Sequence, residues 1–154
     1  MNLYLIRHGV AEDEARTDGE RRLTKEGLKE VIKMARHVSG LTKKPERLFS
    51  SPLVRAKQTA EPFAEQWKLK VELVDWLTPE VGPSEVLKNL HKFSEQSFAL
   101  VGHMPNLGLV LSACIWGLPP RGVALPKGGV ALLKTKLWEP GEAKLKWLLS
   151  PDLV

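Results

Sequence analysis

A three-layer α/β sandwich is the fold that this sequence predicts: a mixed, mostly parallel sheet with helices on both faces and a C-terminal β-hairpin, in one domain over residues 1–154. Three observations carry that expectation. Short apolar runs alternate with amphipathic helical patterns through the first 117 residues, the mark of β–α crossover units and a parallel sheet. The last quarter switches to alternating apolar and charged residues around a Pro-Gly turn, which suits a hairpin better than a crossover. A chain of 154 residues is long enough to bury one core without disulfides or metal clips.

The elements follow in order. Leu3 to Ile6 reads as a buried strand. Thr24 then caps a helix whose apolar positions Leu28, Val31, Ile32, Ala35 and Val38 recur at three and four residues, with Gly40 as its stop. "RLFSS" is a second strand, "LVRAKQTAEPFAEQW" a second helix kinked at Pro62, and "KVELVD" a third strand. "PSEVLKNLHKF" is a third helix, "SFALVG" a fourth strand and "NLGLVLSACIWG" a fourth helix. "GVALLKTKLW" and "AKLKWLLS" are the arms of the hairpin across the turn "EPGE".

Composition narrows the function classes. Twenty-three Lys and Arg against eighteen Asp and Glu give a net charge of +5, but the lysines interleave with glutamates. In "KEGLKEVIKMARH", Glu26 with Lys29 and Glu30 with Lys33 fall at i,i+3 on a solvated helix face. No basic track with interleaved aromatics is present, so no nucleic acid is expected as a partner. The longest apolar stretch, Leu107 to Leu118, is too short and too interrupted to span a bilayer, and the start lacks the pattern of a signal peptide. A soluble cytoplasmic protein, with no membrane partner, is therefore expected. The single cysteine, Cys114, lies in an apolar run and reads as an inert core thiol.

Open α/β sheets bind ligands at the carboxyl ends of their parallel strands. At those ends stand Arg7, His8 and Gly9 after the first strand, Pro52 and Arg55 after the second, and His103 after the fourth. Two guanidiniums and two imidazoles on one edge suit an anion. Arginine's planar fork matches phosphate oxygens in pairs, and a neutral imidazole is a competent nucleophile toward phosphorus. A second histidine can donate to charge building on the equatorial oxygens. Zinc is disfavoured because no cysteine or carboxylate stands at ligand spacing and the arginines repel a cation; no metal and no cofactor are expected. His37 and His91, on amphipathic helices, and Trp67, Trp76, Trp116, Trp138 and Trp147 are assigned structural places.

"LIRHG" at 5–9, "RRLTKEG" at 21–27, "SSPLVRAKQTA" at 50–60 and "VGHMPNL" at 101–107 resemble the four signature blocks of the histidine phosphatase superfamily, in order and spacing. The short length, the "LT..G" block and the hairpin ending are most similar to its SixA branch of small phosphohistidine phosphatases. The resemblance implies that His8 is the nucleophile and that Arg7, Arg55 and His103 hold the phosphoryl oxygens. It also brings Arg21 to the pocket, with Gly9 allowing close approach of backbone and ligand. The implied reaction is hydrolysis of phosphohistidine on a protein, a carrier or phosphotransfer domain, through a phosphohistidine enzyme. Two alternatives stay open: a small-molecule phosphomonoesterase or mutase, and a non-catalytic phosphate-binding module. Esterases of this kind use a carboxylic acid to protonate the leaving oxygen, for which Glu80 and Glu85 are the candidates, Glu80 first. Imidazole, with a conjugate-acid pKa of about 6.5, leaves phosphorus with far less help.

Overall fold

The computed structural model describes residues 1–118 and 121–154. Six strands form one sheet: β1 (Asn2–Arg7), β2 (Arg47–Ser50), β3 (Val71–Leu73), β4 (Ser97–Gly102), β5 (Val130–Lys134) and β6 (Lys144–Leu149). Their order across the sheet is β3-β2-β4-β1-β5-β6. The first four strands are mutually parallel, while β5 runs antiparallel to both β1 and β6. The mixed sheet with its C-terminal hairpin is thus the one expected.

Side chains alternate across each strand, so the two faces build two cores. Leu3, Leu5, Phe98 and Leu100 pack beneath α3 (Pro83–Leu90) and α4 (Asn106–Trp116). Tyr4, Ile6, Ala99 and Val101 meet α1 (Lys25–Leu41) and α2 (Val54–Trp67) on the other face. Strand β4 is buried along its whole length, as a central strand covered on both sides must be. Cys114 sits in the first core, where burial pushes its thiol up to about 12 and keeps it unreactive at neutral pH.

Several boundaries differ from the sequence reading. The inward face of α1 is Gly27, Val31, Met34, Ala35 and Val38, while Leu28 is 40% exposed. The reason is close packing at Gly27, where a Cβ would lie 2.2 Å from the Val10 carbonyl oxygen. A glycine therefore takes the inward place and turns its larger neighbour outward. Gly40 does not stop the helix, which runs on to Leu41, and α2 continues through Pro62. The hairpin arms are joined by residues 135–143 and not by a four-residue turn. Backbone N–H groups of Gly141 and Ala143 donate to Ala113 and Cys114 carbonyls, and Trp138 and Ala143 are buried, so this connection folds against α4 instead of extending the ladder. Trp116, in the last turn of α4, is 70% exposed and is no core residue.

Register sets the functional edge. Arg7 pairs with Gly102 across β1 and β4, so His8 and His103 follow side by side at the same level. Ser50 pairs with Val101, which puts Ser51 and the start of α2 against them.

Candidate active site

His8 is held by its backbone on two sides. Its N–H donates 3.0 Å to the Gly102 carbonyl, and its carbonyl accepts from Gly128 N–H at 3.0 Å. Arg7 N–H donates to Gly129 oxygen in the same turn, which closes on itself through Gly129 N–H to Pro126 oxygen. Gly128 has φ +72°, a left-handed conformation open to glycine at little cost. A rigid turn thus braces the nucleophile candidate.

The His8 side chain is equally constrained. Its Nδ1 lies 2.7 Å from the Gly9 carbonyl oxygen, an acceptor only, so Nδ1 carries the proton and Nε2 keeps its lone pair. Burial, then the positive field of Arg55, Arg7 and Arg21, outweighs the Gly9 hydrogen bond and pulls the imidazole down to about 4. His8 is therefore neutral at pH 7. His103 is driven down to about 3 by burial and by neighbouring His8 and Arg55, and its ring centroid lies 5.2 Å from that of His8.

Around the two rings lies a cleft of about 260 Å³, lined by Arg7, Arg21, Arg55, Asp18 and Lys127 among others. Arg7 Nη1 donates 2.7 Å to the Leu125 carbonyl. Arg55, only 4% exposed, donates from Nη1 to the Asp18 carbonyl at 2.9 Å and from Nη2 to Asp18 Oδ2 at 3.2 Å. Arg21 Nε reaches Asp18 Oδ1 at 2.9 Å, and its Nη1 the Glu12 carbonyl at 3.2 Å. Asp18 bridges two arginines, and its carboxyl is held below the usual carboxylate range, chiefly by the Arg21 hydrogen bond. Arg7 Nε, Arg55 Nε and His103 Nδ1 are buried without a partner. Three buried polar groups facing this shortage around one cleft are the chemistry of an anion cradle.

The sequence-derived residues therefore divide. His8, Arg7, Arg55, His103 and Arg21 all line the cleft. Gly9 is not among them: a Cβ there would lie 2.7 Å from Val31 Cγ2 on α1, so its lack of a side chain lets β1 pack against that helix. Glu80 is exposed, accepts from Thr78 Oγ1 at 2.9 Å and is absent from the cleft lining, where neighbouring Pro79 stands. Glu85 lies in the first turn of α3 and accepts from Asn89. His37 is exposed on α1, and His91 Nε2 lies 2.8 Å from Trp138 oxygen, outside the cleft.

Asp18 and Lys127 were missed, as was Thr59, whose Oγ1 accepts from Gly9 N–H at 3.1 Å and donates to Arg55 oxygen at 2.7 Å. Thr59 stands four residues after Arg55 on the same face of α2, the signal that could have found it. Loops 11–22 and 126–129 offer no comparable signal for the other two. Among the described residues no group of three or more His, Cys, Asp or Glu could hold a metal ion, and no helix is long and apolar enough to cross a membrane.

Residues 3–81 match the histidine phosphatase superfamily (branch 1). The phosphohistidine phosphatase SixA of Escherichia coli strain K12 is 32% identical over 157 aligned residues, covering 98% of this chain and 94% of the relative. This chain belongs to the histidine phosphatase superfamily. The solved structure of the protein histidine phosphatase SixA complexed with tungstate superposes with a TM-score of 0.87 at 27% identity, over 99% of both chains. A mycobacterial glucosyl-3-phosphoglycerate phosphatase shares the superfamily fold at a TM-score of 0.73 and 16% identity, covering 95% of this chain and 97% of that one.

Proposed function

We propose that this superfamily member hydrolyses phosphohistidine on a protein, through a covalent phosphoryl intermediate on His8. The observation that supports this reading over ester cleavage is the state of the cleft's carboxylate. Among the described lining residues only Asp18 carries one, and two arginines keep it ionised, so no carboxylic acid there is poised to protonate an alkoxide. An imidazole leaving group needs no such donor when its second nitrogen already bears a proton.

In the first step the His8 Nε2 lone pair attacks phosphorus in line, and the substrate P–N bond breaks with its electron pair passing to the departing imidazole. His8 Nδ1–H stays bonded to the Gly9 carbonyl, which supports the imidazolium character of the phosphorylated ring. Water then attacks phosphorus, and Nε2 leaves with its electron pair as neutral imidazole. The water's proton goes to the released phosphate or to solvent. The same proton on Nδ1 thus serves attack and departure. Arg7, Arg55 and Arg21 hold the phosphoryl oxygens, and a phosphorylated carrier or phosphotransfer domain is the substrate class.

The test is phosphate release from a phosphohistidine-bearing phosphotransfer protein against a panel of sugar and glycerate phosphates. Turnover of the phosphoprotein, with an acid-labile, base-stable phosphoryl label on the wild type and none on His8→Ala, is the expected result. Equal turnover of alkyl phosphates would return the chain to the general phosphomonoesterases, and a label that survives in His8→Ala would remove His8 as nucleophile.

A further inference from the structure

Ser51 follows β2 and is fully buried. Its Oγ lies 2.8 Å from His103 Nε2 and accepts the Leu53 N–H at 3.3 Å. Two proton arrangements fit the 2.8 Å contact. If Nε2–H donates to Ser51, the serine oxygen accepts twice while its own proton finds no acceptor, and His103 Nδ1 becomes a bare lone pair that also lacks a partner. Two buried groups are then unsatisfied. If the serine O–H donates to Nε2, the hydroxyl both accepts and donates, and a single buried group remains over, a proton on Nδ1. The second arrangement leaves fewer orphans and is preferred.

We propose that Ser51 is a positioning residue that fixes His103 as the Nδ1–H tautomer, so that this ring meets the phosphoryl group as a neutral hydrogen-bond donor. The ligand named here rests on the phosphatase reading; the tautomer rests on Ser51 alone. Direction matters because the oxygens of an ionised phosphoryl group are acceptors only, and an imidazole offering them a lone pair would repel them. Among the described residues that line the cleft, Nδ1–H joins Arg7 Nε and Arg55 Nε as the third buried donor without a protein partner. A phosphoryl group supplies acceptors for such donors, so binding relieves a deficit instead of creating one. His103 donates without a charge of its own, which spares the crowding of a further cation beside three arginines.

The imidazole nitrogens of the full chain can be read directly by 15N NMR, in the wild type, Ser51→Ala and Ser51→Thr, with inorganic phosphate titrated into each. In the wild type His103 should show a protonated Nδ1 and an unprotonated Nε2, and phosphate should perturb the Nδ1 resonance. Ser51→Ala should shift His103 toward the Nε2–H form and weaken phosphate binding about tenfold, as loss of one hydrogen bond to an anion predicts. His8, tied to Gly9, should keep its tautomer in every variant. Ser51→Thr, which restores the hydroxyl, should restore both readouts. A wild-type His103 protonated on Nε2 overturns the proposal, and so does a Ser51→Ala protein with unchanged tautomer and affinity, or a folded Ser51→Thr protein that behaves like Ser51→Ala. If Ser51→Ala fails to fold, the wild-type spectrum decides alone. None of these readouts requires turnover, so absence of phosphohistidine hydrolysis would sink the phosphatase reading without touching this one.

Discussion

Arg55 shows how much one side chain is asked to do. Its Nη1 and Nη2 hold the backbone and carboxylate of Asp18, while Nε–H is buried without a protein partner. A lysine offers one ammonium at one point and cannot bond to both faces of Asp18 and to a phosphoryl oxygen at once. Arg55→Lys should therefore lower kcat/KM by roughly 100-fold, the loss of one or two charge-assisted hydrogen bonds. Near-normal kinetics would take Arg55 out of the phosphoryl clamp. Glu80 gives the opposite expectation. Exposed, and paired with Thr78, its carboxylate should be dispensable for a phosphohistidine substrate. Glu80→Gln should keep kcat/KM within about twofold there and also on alkyl phosphates, whereas a general acid would show on the alkyl phosphates the ~10²–10⁴-fold loss typical of that role.

At the scale of elements, the meeting of β1 with α1 has its own consequence. Gly9 and Gly27 allow the chain after β1 to lie against the helix, with Val31 over Gly9 and the Val10 carbonyl over Gly27. Gly9→Ala forces a methyl group into Val31 and should cost about 1–3 kcal/mol, the range for overpacking a core. Adding Val31→Ala should recover part of that loss, because it removes the colliding Cγ2. Urea denaturation of the two single variants and the double variant measures the coupling, and additive losses would mean that the contact is not the cause.

The same elements explain what was legible in the sequence. Arg7, His8 and His103 each follow a short apolar run, and Arg55 opens the helix after another, so the rule that parallel strands end on one edge was enough to group them. Leu28 was misassigned because hydrophobic spacing does not register a glycine whose value is its absence of a side chain. Asp18 and Lys127 had no periodicity to betray them. Asp18 is captured by Arg55 from 37 residues away, and Lys127 rides on a turn tied to His8 by the Gly128 hydrogen bond. Both placements are tertiary, and local pattern is silent on them.

For the whole molecule, gathering two histidines and three arginines at one sheet edge ties folding stability to pH. In the unfolded chain each imidazole takes up a proton near pH 6.5, but in the fold His8 resists until about 4 and His103 until about 3. Between those values the unfolded state binds more protons than the native state, so stability rises with pH across the window. It is fully present above about pH 6.5 and declines as the medium is acidified. At about pH 5 the penalty is on the order of 2 kcal/mol for each imidazole, a large share of the 5–15 kcal/mol that holds a typical domain. Urea midpoints taken at about pH 7.5 and about pH 5 should thus fall markedly in the wild type. In a His8→Ala, His103→Ala double variant the fall should be much smaller, whatever its stability at the upper pH. Inorganic phosphate should also blunt the wild-type decline, because an anion among the arginines offsets the positive field that adds to burial in depressing both rings. Equal slopes in the two proteins would show that acid sensitivity arises elsewhere in the chain and that these imidazoles are not held neutral by the fold.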